Sequence, residues 1–295
     1  MIVLLFGGNG WIGNQIINLL KQKSIQYFVS DCKIRHYTDA LEEIKKYNPT
    51  HIICLIGRTH GTYNGIYYKT IDYLEQKGKL VENVRDNLFV PVILANICRQ
   101  KEIHLTYFGT GCIFKFDETH TPYDGNGFTE EDYPNFTDSS YSTVKGYTDE
   151  LMHMYEDSAL NLRIRMPISS EINGRNFITK IVNYEKICSV PNSMTVLDEL
   201  LPIMLDMMHK GTTGTVNMTN PELITHNEIL EMYRDIVDPT FKWTNFSIEE
   251  QSKILAAGRS NNYLDSTKLK LMYPELKNIK DSVRETLIKM AEGKK

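Results

Sequence analysis

Short apolar runs alternate with helix-period segments through the first two thirds of the chain. Residues 2–6, 25–30, 51–56, 103–108, 162–166 and 215–218 are strand-sized and rich in aliphatic and β-branched side chains. Between them, Ile12, Ile16, Leu19 and Leu20 fall on one face of a helix, as do Leu88, Val92, Ile93 and the segment 95–97. Strands that alternate with amphipathic helices predict an α/β fold with a doubly wound parallel sheet covered on both faces. Six strands are legible, and a further short one before residue 51 is allowed by the pattern. After residue 166 the texture changes. Loops lengthen, and helices open on capping boxes, Thr225 with Glu228 and Ser247 with Glu250. Leu200, Leu201, Met204, Leu205, Met207 and Met208 recur at helical spacing and predict core packing. The terminal Glu292-Gly293-Lys294-Lys295 predicts a frayed end.

The first turn carries the first chemical signal. Gly7, Gly8, Asn9, Gly10, Trp11, Ile12 and Gly13 lie between the first strand and the first helix, with Gly7, Gly10 and Gly13 spaced G-x-x-G-x-x-G. The first glycine permits a tight turn, the second lets a pyrophosphate approach the backbone, and the third lets helix and strand pack closely. The helix N-terminus then offers N–H groups and a positive dipole end to the phosphates. This predicts a Rossmann-type dinucleotide-binding domain over residues 1–166, with the strand near 214–218 returning to it. Residues 167–295 are then mostly a smaller C-terminal substrate-binding lobe. Beyond the second strand, Asp31 suits the ribose 2′-hydroxyl of NADH, whereas Lys33 and Arg35 suit the 2′-phosphate of NADPH. The balance favours NADPH with Lys33 as first contact, and NADH stays open.

Tyr141 and Lys145 read Y-x-x-x-K on a helix that Asp138, Ser139 and Ser140 can cap, so they share a face. A lysine one turn from a phenol is expected to lower the phenol's pKa, and it can also bond the nicotinamide ribose. Thr110 follows a strand at its C-terminal end, where ligands sit in open parallel sheets. Its hydroxyl can join the tyrosine on one carbonyl oxygen. Y-x-x-x-K alone recurs by chance in many helices; together with the glycine loop and a strand-end threonine it is specific.

Composition narrows the classes. Of 295 residues 41% are hydrophobic and 24% charged, ordinary for a globular chain, and the net charge of −4 has its signs interspersed. No basic stripe points to nucleic acid or to a membrane. Five scattered cysteines without Cys-x-x-Cys suit a reducing compartment, and His60, His104, His120, His153 and His226 form no metal-ligand spacing. These features, with an N-terminus that reads as a strand rather than a leader, predict a cytoplasmic protein without a metal. Residues 63–73, rich in tyrosine, read as a mobile loop and helix near the site.

The glycine loop, Thr110, Tyr141 and Lys145 together resemble the extended short-chain dehydrogenase/reductases that modify nucleotide sugars. The resemblance covers the whole chain. It sharpens at 110–114, Arg165-Met166-Pro167-Ile168-Ser169-Ser170, Arg175-Asn176-Phe177-Ile178-Thr179-Lys180, 191–202, 226–235 and Arg259-Ser260-Asn261-Asn262. There the chain is similar to the plant-type nucleotide-rhamnose epimerase/reductases, and more distantly to dTDP-4-dehydrorhamnose reductase and GDP-fucose synthase. The resemblance implies conversion of UDP-4-keto-6-deoxy-D-glucose to UDP-L-rhamnose by epimerisation at carbons 3 and 5 and reduction at carbon 4 with NADPH. The alternative is a dTDP-4-dehydrorhamnose reductase without epimerase activity.

Epimerisation needs a base on one face of the ring and a proton donor on the other. GDP-fucose synthases carry an acid/base cysteine at the place of Cys112. Their histidine has no counterpart near Asn173-Gly174-Arg175, which leaves Lys180, with Arg175 beside it to lower its pKa. Which of the two is base at each carbon stays open. Arg259 lies where the family's nucleotide-binding arginine segment falls, and a guanidinium suits a diphosphate. Arg175 and Asn176 are candidates for sugar or phosphate oxygens, and Asn87 for substrate or for active-site backbone or water. The family resemblance also implies a separate 4,6-dehydratase supplying the keto sugar, and a homodimer through the helices near 88–99 and 141–155.

Overall fold

The structure, a computed structural model, describes residues 1–293; Lys294 and Lys295, the end of the stretch expected to fray, lie outside the described residues. The elements run β1 (Ile2–Phe6), α1 (Trp11–Gln22), β2 (Gln26–Ser30), α2 (Tyr37–Tyr47), β3 (His51–Cys54), β4 (Gly61–Tyr63), β5 (Ile66–Tyr68), α3 (Leu80–Val84), α4 (Val90–Gln100), β6 (His104–Thr110), α5 (Ser140–His153) and β7 (Ala159–Ile164). They continue with α6 (Phe177–Ile181), α7 (Leu197–His209), β8 (Gly214–Asn217), α8 (His226–Ile236), α9 (Ile248–Ser252), α10 (Thr267–Met272) and α11 (Ile279–Glu292).

Six strands form one parallel sheet in the order β2-β1-β3-β6-β7-β8. Alternation along β1 sets its two faces: Val3 and Leu5 pack toward α1 and α7, Leu4 and Phe6 toward α2 and α4. The methionine-rich face of α7, with Met204, Met207 and Met208 fully buried, closes the first of these cores as its spacing predicted. A third core joins Ile178 and Ile181 of α6 to α8 and α11. Both predicted capping boxes form, Thr225 with Glu228 and Ser247 with Glu250.

Two expectations fail. The segment before residue 51 holds no seventh strand; its apolar residues Ala40 and Ile44 lie four apart and bury one face of α2. The tyrosine-rich stretch forms the antiparallel β4–β5 ladder where a loop is expected, and the expected helix is a 3-10 turn at Ile71–Tyr73. Asn64 and Gly65 both have positive φ, the geometry of a tight two-residue hairpin turn.

A π turn, Arg85–Phe89, joins α3 to α4. Pro91 has no N–H to give the Asn87 carbonyl four residues back, and the Thr148 hydroxyl of α5 donates there instead at 2.6 Å. The turn aims Asp86 and Asn87 inward, onto the loop that leaves β3.

Candidate active site

The sheet order reverses at β1, whose neighbours are β2 and β3, so the crevice at its C-terminal end is the topological switch point. The glycine loop occupies it. Gly7 has φ +78°, and a Cβ there would lie 3.0 Å from the Leu55 carbonyl carbon and the Ile56 nitrogen. A Cβ on Gly13 would sit 2.2 Å from the Gly8 oxygen. At Gly10, the N-cap of α1, the nearest atom to an added Cβ is the Gly7 oxygen at 3.5 Å, so this side of the loop is open to a ligand. A cradle closed against the protein at two glycines and open at the third, over a helix N-terminus, fits a dinucleotide diphosphate. Gly13→Ala is expected to cost about 1–3 kcal/mol, because backbone has to yield; urea unfolding reads this, and an unchanged midpoint would show that α1 shifts freely.

Asn9 Nδ2 donates to Asp31 Oδ1 at 2.7 Å, tying the glycine loop to the residue that follows β2. Lys33 and Arg35 are exposed beyond it. Ile12 is half-buried against the first core. Trp11 reaches across the cleft, its indole N–H donating to Glu171 at 3.0 Å in the loop after β7.

Thr110 ends β6, and its hydroxyl oxygen accepts the Cys112 backbone N–H at 3.1 Å. Tyr141, in the first turn of α5, is buried against Tyr73, Leu74 and Cys112 and hydrogen-bonds the Thr110 side chain. The helix start is fixed by Ser139, whose hydroxyl accepts the Ser142 N–H. The phenol does not behave as expected. Burial pushes its pKa up, nearby Cys112 pushes the same way, and only the Thr110 hydrogen bond opposes them. Lys145 is buried one turn on, bonded to the Tyr107 hydroxyl and 3.5 Å from the Phe108 carbonyl oxygen, and burial pulls its pKa down to about 8. Its ammonium thus rests on Tyr107 rather than tuning Tyr141. The protonated phenol is, however, the form that donates a proton.

Cys112 is partly buried, with Arg165 Nη1 donating to its sulfur at 3.4 Å. Lys180 lies on α6; burial first and Arg175 second lower its pKa, while Cys112 opposes them. Arg175 Nη2 donates to the Tyr67 hydroxyl of β5 at 3.1 Å. Asn176 is not available to a sugar. It is fully buried, its Oδ1 caps α6 at the Ile178 N–H, and its Nδ2 donates to the Ser169 and Glu171 carbonyls. It braces the turn that presents Arg175 and Lys180. Asn87 likewise spends its carboxamide on protein: it clamps the Arg58 N–H and carbonyl, each at 2.9 Å, and bonds Asn83. Of the two roles foreseen for Asn87, the structure supports backbone positioning. Arg259 forks onto Asp72 and the Ala257 carbonyl, while the other oxygen of Asp72 accepts the Ala256 and Ala257 N–H groups.

The sequence reading missed three neighbours. Tyr107 carries Lys145. His60 is half-buried edge-on to Tyr67; burial and the cations Arg175, Arg58 and Lys180 hold its pKa down to about 4. Asp72 orients Arg259. The Lys145–Tyr107 and Arg259–Asp72 contacts are long in sequence, 38 and 187 residues, and neither has a local spacing that would announce it.

A dinucleotide cradle at the switch point, with Thr110, Tyr141 and Lys145 at the adjoining strand end, defines the short-chain dehydrogenase/reductase class. The chain is 46% identical over 281 residues to the bifunctional dTDP-4-dehydrorhamnose 3,5-epimerase/dTDP-4-dehydrorhamnose reductase of Arabidopsis thaliana, covering 95% of this chain and 90% of that one. The crystal structure of the UDP-rhamnose synthase of Acanthamoeba polyphaga mimivirus superposes with a TM-score of 0.94 at 50% identity, covering 98% of this chain and 99% of that one. The dTDP-4-dehydrorhamnose reductase of Bacillus anthracis, solved in complex with NADP, shares the fold with a TM-score of 0.76 at 17% identity, each chain covered over 97%. No family model matches the chain. The chain belongs to the nucleotide-rhamnose epimerase/reductase family.

Proposed function

We propose that the protein converts UDP-4-keto-6-deoxy-D-glucose to UDP-L-rhamnose, inverting carbons 3 and 5 and reducing carbon 4 with NADPH. The observation that carries this reading is the grouping of two proton-transfer candidates around the oxygen donors. Cys112 is bonded through its backbone to Thr110 and packed on Tyr141, and Lys180 lies within electrostatic reach of Cys112.

One pocket can serve both reactions because the 4-keto oxygen collects charge in each. Loss of a proton from carbon 3 or 5 gives an enolate on that oxygen, and reduction at carbon 4 gives an alkoxide there. Tyr141 and Thr110 are the donors aimed at it. Cys112 and Lys180 exchange protons with the ring carbons, and the depressed pKa of Lys180 brings its amine within range of base work. Lys145 and the glycine loop hold the nicotinamide dinucleotide, which when bound supplies the hydrogen and electron pair for carbon 4. Exposed Lys33 and Arg35 favour the 2′-phosphate, and Asn9 takes one oxygen of Asp31, the group that would favour NADH. Arg259 and Arg175 are the cations offered to the diphosphate.

In this reading residues 167–213 and 219–293 form the substrate lobe, and the keto sugar is supplied by a separate 4,6-dehydratase. The protein acts in the cytoplasm as a homodimer. Of the two helices expected at the seam, near 88–99 and 141–155, the second carries exposed Tyr147. Among the described residues no helix is long and apolar enough to cross a membrane.

Incubation with the keto sugar and NADPH in deuterated water tests the proposal. The expected product is the L-rhamnose sugar with deuterium at carbons 3 and 5 and protium delivered at carbon 4. Reduced sugar without deuterium at carbons 3 and 5 would leave a reductase only. Cys112→Ala is expected to lose deuterium exchange by about 10²-fold or more while still reducing an already epimerised keto sugar; unchanged exchange would remove Cys112 from the mechanism.

A further inference from the structure

Two arginines lie two residues apart at the C-terminal end of β7, and both are buried completely. They are partnered very differently. Arg163 lies against Asp149, with Nη2 2.6 Å from Oδ2, and donates Nη1 to the Thr129 carbonyl. Arg165 meets no carboxylate among the described residues. It donates to the Ser260 hydroxyl at 2.9 Å, to the Ser260 carbonyl at 2.6 Å and to the Asn192 side-chain oxygen, all neutral. Its Nε is buried without an acceptor. A guanidinium kept in this way is costly unless a negative charge forms beside it.

Among the described residues, the one group hydrogen-bonded to Arg165 that can become negative is the sulfur of Cys112, 3.4 Å from Nη1. We propose that Arg165 is the counter-charge of the proton-transfer sulfur, holding the Cys112 thiolate that exists on one side of each proton transfer to or from the sugar ring. This rests on the reading of Cys112 as a proton-transfer group. When sulfur acts as base, a C–H bond breaks, its electron pair moves to the enolate oxygen, and an S–H bond forms. When sulfur acts as acid, the S–H bond breaks, the enolate carbon takes the proton, and the charge returns to sulfur. In both directions an anionic sulfur stands where the guanidinium waits. Arg165 is thus a positioning residue that acts through Cys112.

The surroundings leave this role to Arg165. Tyr141 and Lys145 of α5 and Lys180 of α6 also lie within electrostatic reach of Cys112. Lys145, however, is engaged by the Tyr107 hydroxyl. Burial and Arg175 both work against the charge on Lys180. Burial first, with Arg165 adding to it, holds His226 of α8 neutral, its pKa near 4.

The test needs no turnover. In the full-length protein, Cys112 is alkylated with iodoacetamide at neutral pH and followed by mass spectrometry, which reads the thiolate fraction. Arg165→Met is expected to slow alkylation by about tenfold to hundredfold, the loss of one charge-assisted hydrogen bond. Arg165→Lys, which keeps the charge, is expected to recover most of the rate. Ser260→Ala disturbs the same buried network without touching the charge and should alkylate near the wild-type rate. An Arg165→Met rate equal to wild type overturns the proposal, and so does an equal slowing in Ser260→Ala. If Arg165→Met fails to fold, Arg165→Lys against Ser260→Ala decides: the proposal stands only if the lysine variant alkylates close to wild type. Deuterium exchange at carbons 3 and 5 separates the two layers. Slowed alkylation with undiminished exchange would keep the Arg165–Cys112 pair and refute the proton-transfer reading of Cys112.

Discussion

Tyr141→Phe is expected to lower the rate of reduction at carbon 4 by about 10²- to 10⁴-fold, the range for loss of a positioned proton donor. The side chain is buried, and burial together with Cys112 keeps its phenol protonated, so the resting group is the acid. Phenylalanine keeps the packing against Tyr73, Leu74 and Cys112 and removes only the hydroxyl that bonds Thr110. Binding of the dinucleotide, measured by fluorescence quenching, should stay close to wild type. The sharper outcome concerns proton exchange. Because enolate and alkoxide place charge on the same oxygen, deuterium exchange at carbons 3 and 5 should fall along with reduction. Cys112→Ala should lose exchange alone. If Tyr141→Phe reduces slowly but exchanges at the wild-type rate, the enolate oxygen lies elsewhere and the shared-donor account fails.

The chain's periodicities were sufficient for the sheet and for the cradle because both are local. Strand alternation in residues 2–6 and the glycine spacing over residues 7–13 act within one turn of backbone, and each is visible in a short window. Thr110, Tyr141 and Lys145 were legible for a related reason: a strand end and an i, i+4 pair are positional signals. The errors came where contacts cross the chain. Lys145 meets Tyr107 from 38 residues away, Arg165 meets Cys112 from 53, and Arg259 meets Asp72 from 187. No spacing encodes such pairs. The pKa of Tyr141 was misjudged because an i+4 lysine was assumed to face it, whereas burial and a competing hydroxyl decide the outcome. Asn176 failed for another reason. An Asn before a helix is first an N-cap, and its amide was already spent on the turn that carries Lys180. The β4–β5 hairpin does carry a local signal, the Asn64-Gly65 pair with positive φ at its turn.

Removing the carboxylate of Asp149 should be the most damaging single change to stability. Asp149→Ala is expected to cost about 3–5 kcal/mol, because it strands the Arg163 guanidinium in the interior. Arg163 is 0% exposed and makes three contacts of 3.2 Å or less with the two carboxylate oxygens, while Asn161 donates to the same group at 2.8 Å. The loss reaches the site through α5. Asp149 follows Lys145 by one turn, supports the lysine's charge, and locks α5 to β7, the strand that leads to Arg165. Asp149→Ala should therefore also weaken dinucleotide binding at temperatures where the variant is still folded. The double variant Asp149→Ala/Arg163→Met is expected to recover much of the stability, since an apolar replacement of a buried pair is often neutral or stabilising. It should not recover dinucleotide affinity, since Lys145 still lacks the carboxylate. Chemical denaturation of the three proteins, with dinucleotide titration beside it, separates these effects. A loss below about 1 kcal/mol in the single variant, a value typical of exposed ion pairs, would mean that water reaches Arg163 and that the α5–β7 lock is not a buried one.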